Sequence, residues 1–157
     1  MIQRIQSIYL FLSVLSLGAL LSGVTILNFS APDISNIFNV FGLFRKNNAD
    51  ALYKPDLVFP YYILIILLIL MHLATMFNFK KLKKQLKWAQ YSFLIYVISG
   101  LALLIFWLAG GEMLSESITV TPDIGLFLFI AGIPFSFLAV KAIKKDKALI
   151  DSSDRIR

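Results

Sequence analysis

Four stretches of this chain are long and apolar, and none of them contains Asp, Glu, Lys or Arg: residues 8–27, 61–79, 88–108 and 124–140. A helix rises about 1.5 Å per residue and a hydrocarbon core is about 30 Å thick, so about 20 apolar residues suffice to cross it, with a lower limit near 17. The last stretch sits at that limit, and Lys141 extends it by carrying its ammonium to the interface on an apolar stem. Backbone groups in lipid must be satisfied within their own segment, and the strict alternation of a barrel strand is absent, so the pattern predicts helices. Between them lie a loop at 28–60, a hairpin at 80–87, a second loop at 109–123 and a tail at 141–157. The expected architecture is an all-α, four-transmembrane-helix bundle forming one domain over 1–157, with room for a small external strand pair.

Boundary residues agree with these limits. Pro60 precedes the second stretch, where a missing backbone donor costs nothing, and Thr121-Pro122-Asp123 opens the fourth with Thr121 or Asp123 as cap. Trp88, Trp107, Tyr61, Tyr62 and Tyr91 lie near stretch ends, at headgroup level. The first stretch starts after Arg4 like a signal peptide. Its apolar run of about 20 residues exceeds the usual 7–15, and no A-x-A-like site follows, so it reads as a retained span. Within the first loop, residues 34–44 (ISNIFNVFGLF) are apolar but too short to cross. They fit an interfacial helix or a strand, with 117–121 (SITVT) as a pairing partner. Gly110-Gly111-Glu112 reads as a flexible turn.

Charge orients the chain. Arg4, the lysines of the hairpin (Lys80, Lys81, Lys83, Lys84, Lys87) and the basic residues of the tail (Lys141, Lys144, Lys145, Lys147, Arg155, Arg157) make twelve of the 15 basic residues, all on one side. The other side keeps Arg45, Lys46 and Lys54 with six acids. The positive-inside rule makes the basic side, with both termini, cytoplasmic. This placement also accounts for the net charge of +6. The basic residues flank spans and face anionic lipid headgroups, so no nucleic-acid partner is expected. Composition fits: 59% hydrophobic and 15% charged, against about 45–50% and 25% in soluble chains. With no cysteine, thiolate metal sites, disulfides and cysteine nucleophiles are excluded.

Candidate chemistry is sparse. His72, midway along the second stretch, is the one ionisable residue at depth and the weak candidate for a cofactor site. A buried histidine serves as haem or quinone contact, as proton relay, or as a neutral structural imidazole satisfied by hydroxyls such as Ser92, Ser99 or Thr75. The structural role is the expected one. Coupled transporters use carboxylates within the membrane, and none is present here. No phosphate loop, HExxH or nucleophile motif occurs, so neither an enzyme, a metal site nor a cofactor is expected. Small residues four apart (Gly18 and Ser22, Ala19 and Gly23, Gly132 and Ser136) permit close helix packing, and Pro134 should kink the fourth helix.

The two ends carry a resemblance. MIQRIQ at 1–6 and AIKKDKALIDSSDRIR at 142–157, with four apolar stretches and a Lys-rich hairpin, resemble a domain-of-unknown-function family of small four-helix inner-membrane proteins from Bacteroidota. The resemblance implies a bacterial inner membrane and strand-like external segments, and transfers no catalytic residue. In the tail, Lys147–Asp151 and Asp151–Arg155 are helical i, i+4 pairs. Lys144, Lys145, Asp146, Asp151, Asp154, Arg155 and Arg157 form a mixed-charge surface suited to docking a membrane-protein partner or a second copy. The expected function is that of a non-enzymatic accessory or scaffold subunit of an inner-membrane complex. The alternative is a small transporter or lipid- or quinone-handling protein with a cavity near His72.

Overall fold

A computed structural model describes residues 3–30, 35–47, 50–57, 61–79, 81–114 and 119–154. In chain order they form α1 (Gln3–Leu20), β1 (Leu27–Ser30), β2 (Ser35–Asn39), β3 (Gly42–Asn47), β4 (Asp50–Leu57), α2 (Tyr61–Phe77), α3 (Leu82–Leu114), β5 (Thr119–Pro122) and α4 (Ile124–Asp154). The strands make one antiparallel sheet in the order β4-β3-β2-β1-β5.

This corrects the all-α four-transmembrane-helix bundle. The fold is α+β, and the segment expected as a loop at 28–60 supplies most of a sheet larger than a strand pair. Of the described helices, two are long and apolar enough to cross a membrane, over Leu82–Ala109 and Ile124–Ser152, while Ile5–Leu20 and Tyr61–Phe77 are shorter apolar helices. The first helix stops early for a local reason. Leu21, Ser22 and Gly23 donate to the carbonyls of Gly18, Ala19 and Leu20, a tightening to i→i−3 bonds, and Gly23 then takes φ 84°. That left-handed conformation is available to glycine at little cost and turns the chain out of the helix. Leu27, placed in the first span from sequence, is a strand residue paired with Phe38.

Two smaller expectations also change. The strand at 119–122 pairs with β1, Phe29 opposite Val120, and not with the 34–44 segment. Gly110-Gly111-Glu112 is helical, because α3 runs on to Leu114. The hairpin at 80–87 shrinks as well: α3 begins at Leu82, in a run of Leu, Lys and Gln that are all good helix formers. Lys80 lies outside the described residues. Pro134 sits inside a continuous α4.

Each helix turns one stripe inward. On α1 it is Gln6, Leu10, Ser13, Leu17 and Leu20; on α2 Tyr61, Ile65, Leu68, His72 and Thr75. On α3 it is Gln85, Ala89, Ser92, Tyr96, Ser99 and Leu103, and on α4 Leu126, Phe129, Ser136, Ala139, Ile143 and Asp146. Steps of three and four residues keep each set on one face. The opposite faces remain apolar, with Phe11, Leu15, Leu70, Ile98, Ile105, Phe127 and Phe137 all more than half exposed or close to it.

The sheet closes one end of the helices and shares their core. Phe29 and Phe38 pack on Phe106 of α3 at 5.7 and 5.0 Å between ring centroids, and Phe38 also meets Tyr61. Main-chain bonds pin the junction: Tyr62 N to Val40 O at 2.8 Å, Asp123 N to Ile26 O at 3.0 Å and Gly125 N to Thr25 O at 2.8 Å. A Cβ at Gly125 would stand 2.5 Å from the Thr25 carbonyl oxygen, so α4 can start this close to the strand only on a glycine. Asp123 caps that start, its Oδ1 accepting from Ile124 N and its Oδ2 from Asn28 Nδ2.

Candidate functional site

The helix interior is polar at its middle. His72 on α2 is fully buried. Its Nδ1 lies 2.8 Å from the Leu68 carbonyl, which can only accept, so Nδ1 carries the proton and Nε2 of the neutral ring is the acceptor. Two hydroxyls converge on Nε2: Ser136 of α4 at 3.1 Å and Ser13 of α1 at 3.2 Å. Nε2 has one lone pair and takes one proton, from Ser136. Ser13 has a second outlet, the Gly132 carbonyl at 3.3 Å. Ser16 donates to Ser13 O, and Tyr96 of α3 donates to Phe129 O while presenting its ring edgewise to the imidazole at 6.0 Å. Every proton in this group thus has a protein acceptor, and the group joins four helices.

The partners differ from those expected. Thr75, Ser92 and Ser99 each donate to a carbonyl of their own helix, at Met71, Ala89 and Tyr96, and none reaches His72. Gly132 explains how α4 comes close enough for Ser136 to do so. A Cβ there would collide with Tyr96 Oη and Ser16 Oγ. Of the small pairs singled out from sequence, Gly132 and Ser136 therefore sit in the helix contact. Gly18 has no neighbour within 4 Å of where its Cβ would be. Gly132 thus lets α1, α3 and α4 approach closely one turn before Ser136.

A second polar group lies at the end away from the sheet. Gln6 Nε2 on α1 donates to Asp146 Oδ2 on α4, and both side chains are buried. Gln85 of α3 is buried near the same end of the helices, and its Oε1 has no partner among the described residues. Around this end Lys81, Lys83, Lys84, Lys87, Lys141, Lys144 and Lys145 are exposed.

The model of a protein family described as a domain of unknown function, DUF4293, matches residues 2–156. The chain belongs to the DUF4293 family. A search of curated proteins finds no match.

In this DUF4293 chain the tail residues separate into two kinds. Lys144, Lys145 and Asp151 are exposed on α4, available for contact. Asp146 is 7% exposed and turned inward, so it holds α1 to α4 and is not part of a docking surface. Asp154 ends α4; Arg155 and Arg157 lie outside the described residues.

Burial raises the Asp146 carboxyl above its ordinary value of 3.8, with the charge of Lys145 pulling the other way. A raised native value means that the folded chain holds this proton more tightly than the unfolded one. Stability from this group is therefore full below the unfolded value and is lost as pH rises through the native value. Asp146→Asn keeps an acceptor for Gln6 and removes the buried charge. We expect it to raise Tm at neutral pH and to flatten the dependence of Tm on pH in the acid range. A lower Tm at pH 7.5, with the same pH dependence, would show that ionised Asp146 is stabilising.

Proposed function

We propose that this protein is a non-enzymatic accessory or scaffold subunit of a bacterial inner-membrane assembly. In this reading α3 and α4 cross the bilayer, α1 and α2 pack beside them within the same apolar layer, and the sheet stands on the outer side. The Lys-rich end and both termini are cytoplasmic. Supporting the membrane setting, only 22% of the most apolar window of α3 and 33% of that of α4 is buried in the protein, whereas a core helix of a soluble protein is mostly buried. The lysine distribution supports the orientation.

The observation that carries the subunit reading is the far end of α4. Past Val140 the helix continues to Asp154, projecting about 20 Å beyond the apolar stretch. It carries Lys144, Lys145 and Asp151 beside Leu149 and Ile150, each 48% exposed. A topology signal needs only positive charge, and acids contribute little to it. Large exposed apolar side chains on a continuous helix, rimmed by charges of both signs, match an interface with a protein partner, where an apolar centre sits within a polar rim. The interior is consistent with the same reading, since His72, Ser13, Ser136 and Tyr96 bond one another or main chain across helices.

The test is co-purification from gently solubilised membranes at low salt, where charge pairs are least screened. Asp151→Asn/Asp154→Asn, or truncation after Lys147, should leave the protein inserted and release its partner, whether another membrane protein or a second copy. Unchanged recovery of every partner with the truncated chain would refute docking through α4.

A further inference from the structure

The apolar segment at 34–44 supplies β2 and the start of β3, and the turn between them is apolar too. Asn39 pairs with Gly42, so the hairpin reverses through two residues, Val40 and Phe41. Two-residue hairpin turns are ordinarily built from Asn, Asp and Gly. Here the special backbone conformation falls on Gly42, at φ 145°, where glycine meets no steric cost. The Asn39 side chain braces the turn, its Oδ1 accepting from Phe41 N. Val40 is fully buried, and its carbonyl accepts from Tyr62 N at the start of α2. Phe41 is 40% exposed. Its ring lies 5.9 Å from that of Tyr62, and its Cε2 lies 3.8 Å from the Cβ position of Gly23, just past α1.

The tip thus lies at the sheet end of the two short helices. Ile5–Leu20 and Tyr61–Phe77 rise about 24–26 Å, short of a hydrocarbon core of about 30 Å. The tip adds apolar surface where they stop. On α2, Ile66 and Leu70 follow Tyr62 by four and eight residues, on its side of the helix, and both are exposed. From Leu70 up to Phe41 the strip is apolar apart from the Tyr62 hydroxyl. The two long helices also stay apolar to the base of the sheet. Beside Phe106, which meets Phe38 of β2, Ile105 and Leu108 are exposed. Helix α4 opens next to Thr25 on exposed Ile124 and Phe127.

We propose that the tip of the β2–β3 hairpin is a membrane contact, with Phe41 among the outer-leaflet acyl chains and Tyr62 at headgroup level, so that the sheet is seated on the bilayer surface. The inference rests on the membrane setting proposed above and concerns the end of the molecule opposite the docking segment of α4. Lipid fits the tip for two reasons. The exposed ring continues the exposed apolar face of α2, and an aromatic residue with a polar edge stands beside it, as at membrane interfaces generally. A stable contact between copies buries about 800 Å² on each, far more than one exposed ring supplies.

The test places the full chain in vesicles of phosphatidylglycerol and phosphatidylcholine, with a bimane label on Phe41→Cys; the chain has no native cysteine to react. Ile66→Cys marks the acyl layer, and Ser30→Cys, exposed at the end of β1, marks the water. A lipid carrying a doxyl group high on its acyl chain should quench Phe41→Cys several-fold more strongly than Ser30→Cys, while iodide on both faces should quench it little. Tyr62→Cys, which keeps the main-chain bond to Val40, should follow Phe41→Cys. If both behave like Ser30→Cys while Ile66→Cys is quenched by lipid, the tip stands in water: the proposal fails and the membrane setting survives. Shielding of Phe41→Cys from lipid and iodide alike would put protein over the tip, a second copy included, and would also overturn it. Quenching of Ile66→Cys by iodide would instead remove the membrane setting on which the tip depends.

Discussion

Valine at position 132 should cost about 3 kcal/mol of stability, near the upper end of the usual range for overpacking a filled interior. Gly132 lies where α4 meets α1 and α3, and even a methyl group there collides with Tyr96 Oη and Ser16 Oγ. Relief requires either moving α4 away from Ser13 and His72 or swinging Tyr96 off the Phe129 carbonyl. Either route leaves buried polar groups unpaired, at about 1–3 kcal/mol each. Gly18→Val is the matched control, because Gly18 is exposed on α1 and nothing lies within 4 Å of its Cβ position. Thermal unfolding of the purified protein, followed by Trp fluorescence, should show a large fall for Gly132→Val and almost none for Gly18→Val. Equal shifts would mean that α1, α3 and α4 do not converge at Gly132.

His72→Leu should lower stability by about 1–3 kcal/mol and leave folding and insertion intact. Leucine removes a donor to Leu68 O and an acceptor for Ser136. Ser136 then has an outlet on its own helix four residues back, at Gly132 O, and Ser13 keeps its bond to that carbonyl. The loss is that of a fastening, not of a reactive centre. Chain yield in membranes and Tm measure it. A haem Soret band in the purified protein, abolished by this substitution, would contradict the structural role.

The helices were legible in the sequence because their apolar runs are long and bounded by Pro, Asp and Lys. The sheet was not, and β2 shows why. Its buried positions are Asn36 and Phe38, while Ile37 between them is half-buried, so the polar–apolar alternation that marks a strand is scrambled. In β1 the alternation is clean, Leu27 and Phe29 inward against Asn28 and Ser30, but four residues directly after an apolar helix read as that helix's continuation. Only the turn at Gly23 separates them, and its positive φ is a property of the folded chain. His72 stood out as the deep ionisable residue, yet its partners did not. The hydroxyls expected were Ser92 and Ser99 on α3 and Thr75 on α2, whereas those that reach it are Ser13 on α1 and Ser136 on α4, because which hydroxyls meet at one level depends on how the helices pack. Asp146 looked like one more charge in a charged tail. Its burial follows from lying on the stripe of Ser136, Ala139 and Ile143, in steps of three and four, a periodicity that continues the inward face past the lysines.

The proposed function rests on the placement of the chain in the membrane, with the sheet outside and the lysine end inside. Because the protein has no cysteine, single cysteines can be read without background. Ser30→Cys, exposed at the end of β1, and Lys84→Cys, exposed near the start of α3, report the two ends of the molecule. In intact spheroplasts an impermeant thiol reagent should label Ser30→Cys and spare Lys84→Cys, with both labelled after lysis. Labelling of Lys84→Cys with protection of Ser30→Cys would invert the orientation, and equal labelling in a soluble fraction would contradict the membrane setting altogether.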